Sequence, residues 1–331
     1  MMPRDETAPR PVASLPVHRD GEPVPERLRG AVAALGNFDG IHQGHRALIA
    51  AVREMAAALG RPSAVLTFEP HPRAFFSPDA TMFRLTGEGE KLAVLQRLGV
   101  DGAFVRRFDA GLAGTGASAF VADTLKGELG LSGVVIGHDF HFGRGREGTP
   151  AMLEALCAEN GLACRIVPAV AAGGGEAPVS SSAIRAALEA GDVATANHLL
   201  GYRWFVEGVV RHGDKRGRTL GFPTANVALD ACGLAHGIYA VRVRLTDGSV
   251  RDGVASYGRR PTFDDGAPLL ETYLFDFAGD LYGQRIAVEF VGFIRGEARF
   301  DSAEALVARM HEDAAEARRR LAADRTPSML G

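Results

Sequence analysis

Two histidines three positions apart stand where a short apolar run gives way to a helical pattern. His42 and His45 would share one face of that helix, and Gly44 between them lets an anion approach the backbone. A helix N-terminus offers N–H groups and the positive end of a dipole to a phosphate. Imidazoles placed there can stabilise charge that develops on a phosphate during its transfer. The spacing alone also fits ordinary surface histidines or half of a metal site.

A second cluster combines hydroxyls with a guanidinium. Three serines at 180–182 precede a helical pattern, and Arg185 follows one turn later. Hydroxyls and N–H groups at a helix start, with an arginine beside them, can clamp a triphosphate. A plain helix cap followed by a surface arginine would have the same spacing.

The second half of the chain carries a glycine-rich basic stretch. Gly213, Gly217 and Gly221 recur every four residues, and Lys215 adds positive charge. Such a loop can wrap closely over phosphates, although it is not a Walker A motif. A basic surface hairpin is the alternative.

Two oxygen-bearing side chains follow this stretch. Thr224 and Asn226 are two positions apart, so they lie on the same face of an extended segment. Hydroxyl and amide oxygens are hard donors that suit Mg²⁺. The pair therefore indicates a candidate magnesium site.

The elements that must position the histidines and serines alternate along the first half. Apolar runs predict strands, and 3.6-residue patterns between them predict helices. The predicted strands are 31–35, 64–68, 103–107, 134–136 and 164–167, and the predicted helices are 44–59, 90–98, 117–129 and 151–160. This alternation is typical of an α/β domain with a parallel sheet, which binds ligands at the carboxyl ends of its strands.

The second half reads differently. After two short helices within 183–202, strands follow at short spacing, which is typical of a small barrel or sandwich. The predicted strands are 205–210, 239–245, 250–255, 269–275 and 286–293, with a charged amphipathic helix over 302–322. The proline-rich start of the chain predicts a mobile tail.

Length and composition exclude several classes of protein. The 331 residues suggest about two domains. No apolar run approaches the roughly 18 residues that span a membrane, and the N-terminus lacks the pattern of a signal peptide. The net charge of −3 argues against binding nucleic acid by charge alone. Three scattered cysteines favour a reducing cytoplasm over a disulfide framework or a zinc site.

The run G-N-F-D-G-I-H-Q-G-H at 36–45 resembles the signature of nucleotidyltransferases with an H-x-G-H motif. More narrowly, it is similar to the FAD synthetase module of bacterial bifunctional riboflavin kinase/FAD synthetases. Three further segments agree: T-F-E-P-H-P at 67–72, G-H-D-F-H-F-G at 137–143, and S-S-S-A-I-R at 180–185, where Ser182 replaces the usual threonine.

The run G-F-P-T-A-N at 221–226 resembles the motif of riboflavin kinases. The segment F-I-R-G-E-A-R-F at 293–300 is similar to the R-x-E-x-K-F segment of the same family, with Arg299 in place of the lysine. The pair Ser256-Tyr257 departs from the family pattern on the flavin side. The resemblance covers about residues 13–322.

The resemblance implies an α/β plus β fold. A Rossmann-like nucleotidyltransferase domain with a parallel sheet is expected over 13–186, after a mobile tail at 1–12. A helical linker would span 187–202. A small antiparallel β-barrel of the riboflavin kinase type, with a terminal helix, would span 203–325.

The resemblance also implies the site residues of the first domain. His42, His45 and Arg185 would be catalytic. The ATP-binding residues would be Gly36, Asn37, Phe38, Asp39, Gly44, Ser180, Ser181 and Ser182. The FMN-binding residues would be Asp139, Phe140, Phe142 and Arg144.

In the second domain Glu271 lies where the family carries its general base. ATP or ADP would bind at Gly213, Lys215, Gly217, Gly221 and Pro223. Riboflavin would bind at Arg295, Glu297 and Phe300, and Mg²⁺ at Thr224 and Asn226.

The expected function is flavin cofactor biosynthesis in the cytoplasm. ATP would phosphorylate riboflavin to FMN with the help of Mg²⁺, and a second ATP would adenylylate FMN to FAD with release of pyrophosphate. The expected partners are these small molecules, without nucleic acid or membrane, and the oligomeric state stays open. The alternative is a flavin or nucleotide carrier or sensor in which one or both sites are inactive.

Overall fold

The structure is a computed structural model that describes residues 15–77, 82–171, 178–212, 221–229, 232–259 and 268–330. The predicted mobile tail at 1–12 lies outside these residues. So do three of the predicted nucleotide-binding residues, Gly213, Lys215 and Gly217.

The first half forms a six-stranded parallel sheet in the order β1-β4-β3-β2-β5-β6. Its strands are β1 Val17–Arg19, β2 Val32–Leu35, β3 Ser63–Glu69, β4 Gly102–Arg107, β5 Gly133–Gly137 and β6 Ala163–Val167. All four residues of β2 are buried, as expected for a strand covered on both faces. The sequence pattern did not predict β1, a three-residue edge strand within the proline-rich stretch.

Helices connect the strands and cover the sheet. They are α1 Gln43–Leu59, α2 Pro72–Phe76, α3 Glu88–Arg97, α4 Ala110–Gly114, α5 Ala117–Ala119 and α6 Pro150–Glu159. Helix α5 continues as a π-helix over Phe120–Glu128. Helix α1 is capped by the His42 side chain and ends at Gly60, whose φ of +61° belongs to the left-handed region that glycine adopts readily.

Two short helices lie between the sheet and the second half. They are α7 Ser181–Glu189, capped by Ser180, and α8 Val193–Leu200, capped by Asp192. One hydrophobic cluster continues from the sheet through these helices into the following strands.

The second half is a closed barrel of six antiparallel strands in the order β10-β11-β8-β7-β12-β9. Its strands are β7 Phe205–Arg211, β8 Thr224–Ala228, β9 Gly237–Arg244, β10 Val250–Arg259, β11 Pro268–Leu274 and β12 Arg285–Arg295. The sequence pattern did not predict β8 as a strand, yet β8 closes the barrel between β7 and β11. Together with helix α9, Ala303–Ala323, the sheet and barrel confirm the predicted fold class.

A network of buried charges joins the end of α9 to the start of the barrel. The Asp324 carboxylate accepts from Arg203 at 2.8 Å and from Arg242 at 3.0 Å. Arg203 also donates to Glu289 at 3.0 Å. The Asp324 side chain is 9% exposed. Burial tends to raise the pKa of Asp324, but Arg203 and Thr326 outweigh it and hold that pKa below its ordinary value.

Replacing Asp324 tests this network. Because Asp324→Asn leaves two partly buried guanidinium groups without their shared carboxylate, we expect the free energy of unfolding to fall by about 2–4 kcal/mol. Urea unfolding followed by circular dichroism measures the change. The control is Asp276→Asn, which removes an 80% exposed carboxylate from Arg318 and should shift the transition little. Equal shifts in both variants would contradict the role of the buried network.

Candidate active sites

The two histidines of the first site lie together at the start of α1. The His42 ring accepts a hydrogen bond at Nδ1 from the backbone N–H of His45, at 3.3 Å. The two rings stack with centroids 3.8 Å apart and planes 17° apart. A Cβ at Gly44 would come within 3.1 Å of the His42 ring, so glycine is what leaves room for this stack.

Burial sets the charge state of both imidazoles. It lowers the pKa of His42 to about 4, although Asp39 and Asp139 act in the opposite direction. Burial also lowers the pKa of His45 well below its ordinary value, helped by His42 and Lys91. Both rings are therefore neutral near pH 7. They can act as hydrogen-bond donors, not as cations.

The Asp39 carboxylate is 2% exposed and binds two distant segments. It accepts from the backbone N–H of Leu85 at 3.0 Å and of Thr86 at 3.1 Å. It also pairs with the guanidinium of Arg185. Arg185 donates from Nε to the carbonyl of Phe83 at 2.6 Å. Asp39 and the segment 83–86 thus hold Arg185 in place, while a direct contact between Asp39 and ATP stays a prediction.

The start of α7 faces the turn before α1. The Ser181 hydroxyl donates to the Asp39 carbonyl at 2.8 Å. The Ser180 hydroxyl caps α7, and Ser182 is exposed at the same helix start. Two helix N-termini therefore converge beside the histidine pair, which is an arrangement suited to anions.

The predicted residues that precede Asp39 form the floor of this turn. The Asn37 carbonyl accepts from the Thr67 hydroxyl at 3.0 Å. Phe38 is fully buried with a φ of 50°, and its ring lies 5.0 Å from that of His45. Gly36 lies against the Phe38 ring, since a Cβ there would come within 3.3 Å of it.

A buried cation lies beside this site and was not predicted. Lys91 is 1% exposed and donates to Thr67 and to Glu69, each at 3.0 Å. Glu69 also accepts from Arg84 at 2.6 Å. Burial lowers the pKa of Lys91, and Glu69 opposes that shift. Lys91 is separated from Glu69 by 22 positions, so no local motif could have revealed the contact.

The predicted FMN residues differ in their exposure. Phe142 is buried, with its ring 5.7 Å from that of Phe120, so it contributes to the core. The half-buried Phe140 stacks over it at 5.9 Å with planes 16° apart. Asp139 and Arg144 are exposed. The structure therefore offers Phe140, more than Phe142, to a ligand.

A second aromatic surface lies near the carboxyl end of β4 and was not predicted. Phe76 is 66% exposed, and its ring lies 5.6 Å from that of Phe108. Phe75 packs 5.4 Å from the same ring. The signal in the sequence was a pair of phenylalanines at 75–76, two residues after the E-P-H-P segment.

The register of β8 and β11 assembles the second site. Glu271 lies directly opposite Asn226, and Tyr273 lies opposite Thr224. Directly opposed side chains share a face of the sheet, so Thr224, Asn226 and Glu271 lie together. Asn226 is 5% exposed, whereas Thr224 and Glu271 are half-buried. A hydroxyl, an amide and a carboxylate oxygen on one face fit a hard cation such as Mg²⁺.

The turn before β8 packs against the terminal helix. Phe222 is buried, and its ring lies 4.9 Å from both Tyr273 and His311 of α9. Gly221 adopts a φ of +83°, a conformation that favours glycine. This turn holds Pro223 and Gly221, two of the predicted nucleotide-binding residues.

Of the three predicted riboflavin residues, Arg295 ends β12, and Glu297 and Phe300 follow the strand. Arg295 donates to Asp313 of α9 at 2.9 and 2.6 Å, and its guanidinium lies 5.8 Å from the Phe300 ring. Arg295 therefore anchors the terminal helix. Glu297 is 51% exposed and leans against Gly258, where a Cβ would come within 1.9 Å of its carboxylate.

Comparison with known proteins matches each half of the chain to a family model. The family model for FAD synthetase matches residues 24–183, and the model for riboflavin kinase matches residues 200–321. The bifunctional riboflavin kinase/FMN adenylyltransferase of Pseudomonas fluorescens is 42% identical over 292 residues, which cover 88% of this chain and 93% of the relative. The chain belongs to the bifunctional riboflavin kinase/FMN adenylyltransferase family. The member from Haemophilus influenzae is 39% identical over 287 residues, which cover 86% and 92% of the two chains.

A solved structure also supports the fold. The protein named Macrolide-efflux Protein from Streptococcus pneumoniae superposes with a TM-score of 0.77 at 32% identity, over 86% of this chain and 92% of that one. The activity in that name is stated of the other protein. Within the described ranges of this chain, no helix is long and apolar enough to cross a membrane.

The low pKa of His42 predicts a pH dependence of stability. The unfolded chain binds a proton near pH 6.5, whereas folded His42 binds it only near pH 4. The free energy of unfolding therefore falls as the pH drops through this range, and His42→Gln should make that fall shallower. Urea unfolding at a series of pH values measures the slope. A slope equal to that of the parent protein would contradict the assignment.

Proposed function

We propose that the two halves of the chain carry out successive transfers from ATP. As a member of its family, the chain phosphorylates riboflavin to FMN and adenylylates FMN to FAD. The observation that carries the proposal is that each half holds an arrangement suited to phosphate chemistry. One has the stacked His42 and His45 at a helix start, and the other has Glu271 opposite Asn226.

At the sheet, a phosphate oxygen of FMN attacks the α-phosphate of ATP, and pyrophosphate leaves. The neutral N–H groups of His42 and His45 and the guanidinium of Arg185 stabilise the developing charge. The helix start at Ser180 and Ser182 holds the triphosphate. No covalent intermediate with the protein is required.

The flavin of FMN needs an aromatic surface beside this site. Phe140 and Phe76 offer accessible rings, and aromatic rings stack favourably on a flat heterocycle. Arg144 is exposed close to Phe140 in the chain and can pair with the FMN phosphate.

At the barrel, Glu271 accepts the proton of the riboflavin hydroxyl as that hydroxyl attacks the γ-phosphate of ATP. Thr224 and Asn226 are the proposed ligands of Mg²⁺, which neutralises phosphate charge when it is bound. Gly221 and Pro223 belong to the proposed nucleotide loop, with Gly213, Lys215 and Gly217. The proposed riboflavin residues are Arg295, Glu297 and Phe300.

We also propose where the protein acts and how the chain divides into domains. We place the enzyme in the cytoplasm, with small molecules as its partners. The proposed boundaries are 13–186 for the adenylyltransferase domain, 187–202 for the linker and 203–325 for the kinase domain. The proposed boundary at 186/187 falls within α7, and the one at 202/203 falls between α8 and β7.

Removing a histidine should stop the pathway at its intermediate. In a time course with riboflavin and excess MgATP, we expect His45→Ala to accumulate FMN and to form FAD about 10²–10³-fold more slowly, because a donor to the developing charge is lost. Chromatography separates riboflavin, FMN and FAD. The control is His198→Ala, which removes an exposed histidine of α8. Unchanged FAD formation by His45→Ala would refute the role of this site.

Removing the proposed base should have the opposite effect. We expect Glu271→Gln to phosphorylate riboflavin about 10²–10⁴-fold more slowly, because the amide cannot accept the hydroxyl proton. Supplied FMN should still be converted to FAD at the parent rate. The same chromatographic assay, started from riboflavin or from FMN, measures the two steps. Equal loss of both activities would rule out two separate sites.

A further inference from the structure

Two residues that lead into the barrel reach into the adenylyltransferase site. The Tyr202 hydroxyl donates to the carbonyl of Gly40 at 2.6 Å, in the turn that precedes His42. The Trp204 indole N–H donates to the carbonyl of Leu85 at 2.8 Å. Both side chains are buried, with 0% and 1% of their surface exposed. They lie between α8 and β7, which opens the kinase barrel.

The barrel side also fixes Phe83. The Phe83 ring meets the Trp204 ring edge-on, with centroids 5.8 Å apart. The Phe83 ring also lies against Gly233, where an added Cβ would come within 2.8 Å of the ring. Any side chain at position 233 would therefore displace Phe83. The carbonyl of Phe83 is the acceptor for Arg185 Nε.

All of these contacts support one side chain, that of Arg185. Arg185 is held by the Phe83 carbonyl and by Asp39. Asp39 is held in turn by the N–H groups of Leu85 and Thr86. Both supports of Arg185 thus depend on the segment 83–86. Trp204 and Gly233, on the barrel side, both contact that segment.

We infer that Tyr202 and Trp204 are positioning residues for FMN adenylylation, so that the segment leading into the kinase barrel is a structural part of the adenylyltransferase site. The proposed kinase face lies on β8 and β11, and neither Tyr202 nor Trp204 belongs to these strands. The inference rests on the proposed role of Arg185 in adenylyl transfer.

The physical reason is the cost of an unpaired buried carbonyl. Without the Tyr202 hydroxyl, the Gly40 carbonyl loses a buried donor, and the turn must shift or admit water to replace it. Gly40 is two residues from His42, so a shift of the turn moves the capping imidazole as well. A displacement of about 1 Å is enough to slow a reaction that depends on orientation.

Tyr202→Phe in the full chain tests the inference, since it removes one oxygen and keeps the ring. We expect kcat for FMN adenylylation to fall about tenfold, with the KM for FMN unchanged and riboflavin phosphorylation within about twofold of the parent. The KM for FMN should stay unchanged because Tyr202 supports the turn before α1, where the ATP phosphates are proposed to bind, and not the proposed flavin surface. The emission of Trp204, the single tryptophan of the chain, shows whether its contact with the segment 83–86 is intact.

Two further variants complete the design. Tyr239→Phe is the matched control, because this buried tyrosine also donates to a backbone carbonyl, that of Ala235, on the barrel side. It should leave adenylylation unchanged. Gly233→Ala displaces Phe83 by a Cβ within 2.8 Å of its ring, and it should reproduce the selective loss expected of Tyr202→Phe.

The outcomes separate the inference from the proposed function. Full adenylylation by folded Tyr202→Phe and Gly233→Ala would overturn the inference. Parallel loss of both activities would overturn it too, because it would indicate general instability. The proposed function would fail instead if the parent chain formed FMN but never FAD.

Discussion

The buried Asp39 carboxylate is the constraint on which the adenylyltransferase site depends. A carboxylate with 2% exposure is tolerated only when hydrogen bonds and a cation satisfy its oxygens. Its partners come from the segment after β3 and from α7, which are 46 and 146 positions away in the chain. Satisfying this one group therefore requires the turn, the segment 83–86 and Arg185 to meet at a fixed place.

Burial around this point also decides which chemistry is available. The imidazoles of His42 and His45 are kept neutral, so they stabilise charge through N–H groups. Positive charge comes instead from Arg185, which is held by Asp39, and from Lys91, which is held by Glu69. The same burial that excludes water strengthens each of these interactions.

The two sites are built on different principles. The kinase face needs only the pairing of two neighbouring strands, because Glu271 and Asn226 are opposite each other in the register. The adenylyltransferase site needs loops from across the sheet, a helix beyond it, and the start of the barrel. The geometry of this site therefore depends on contacts from more of the chain. Tyr202 and Trp204 connect the site to the kinase half.

Local pattern was enough to predict most of the architecture. Apolar runs and helical periods located five strands of the sheet and five of the barrel, and the H-x-G-H and G-F-P-T-A-N runs located both candidate sites. The pattern missed β1, which is three residues long, and β8, whose five residues mix polar and apolar side chains. Short strands carry too few residues for a period to appear, and their partners in the sheet decide them.

The sequence by itself determined which residues could do chemistry, because the motifs that carry His42, His45, Thr224 and Asn226 are contiguous. Only the tertiary structure decided their electrostatic state and their supports. Lys91 reaches Glu69, Asp39 reaches Arg185, and Tyr202 reaches Gly40 across 22, 146 and 162 positions. Burial and long-range hydrogen bonding depend on how distant segments pack, and no local spacing encodes that.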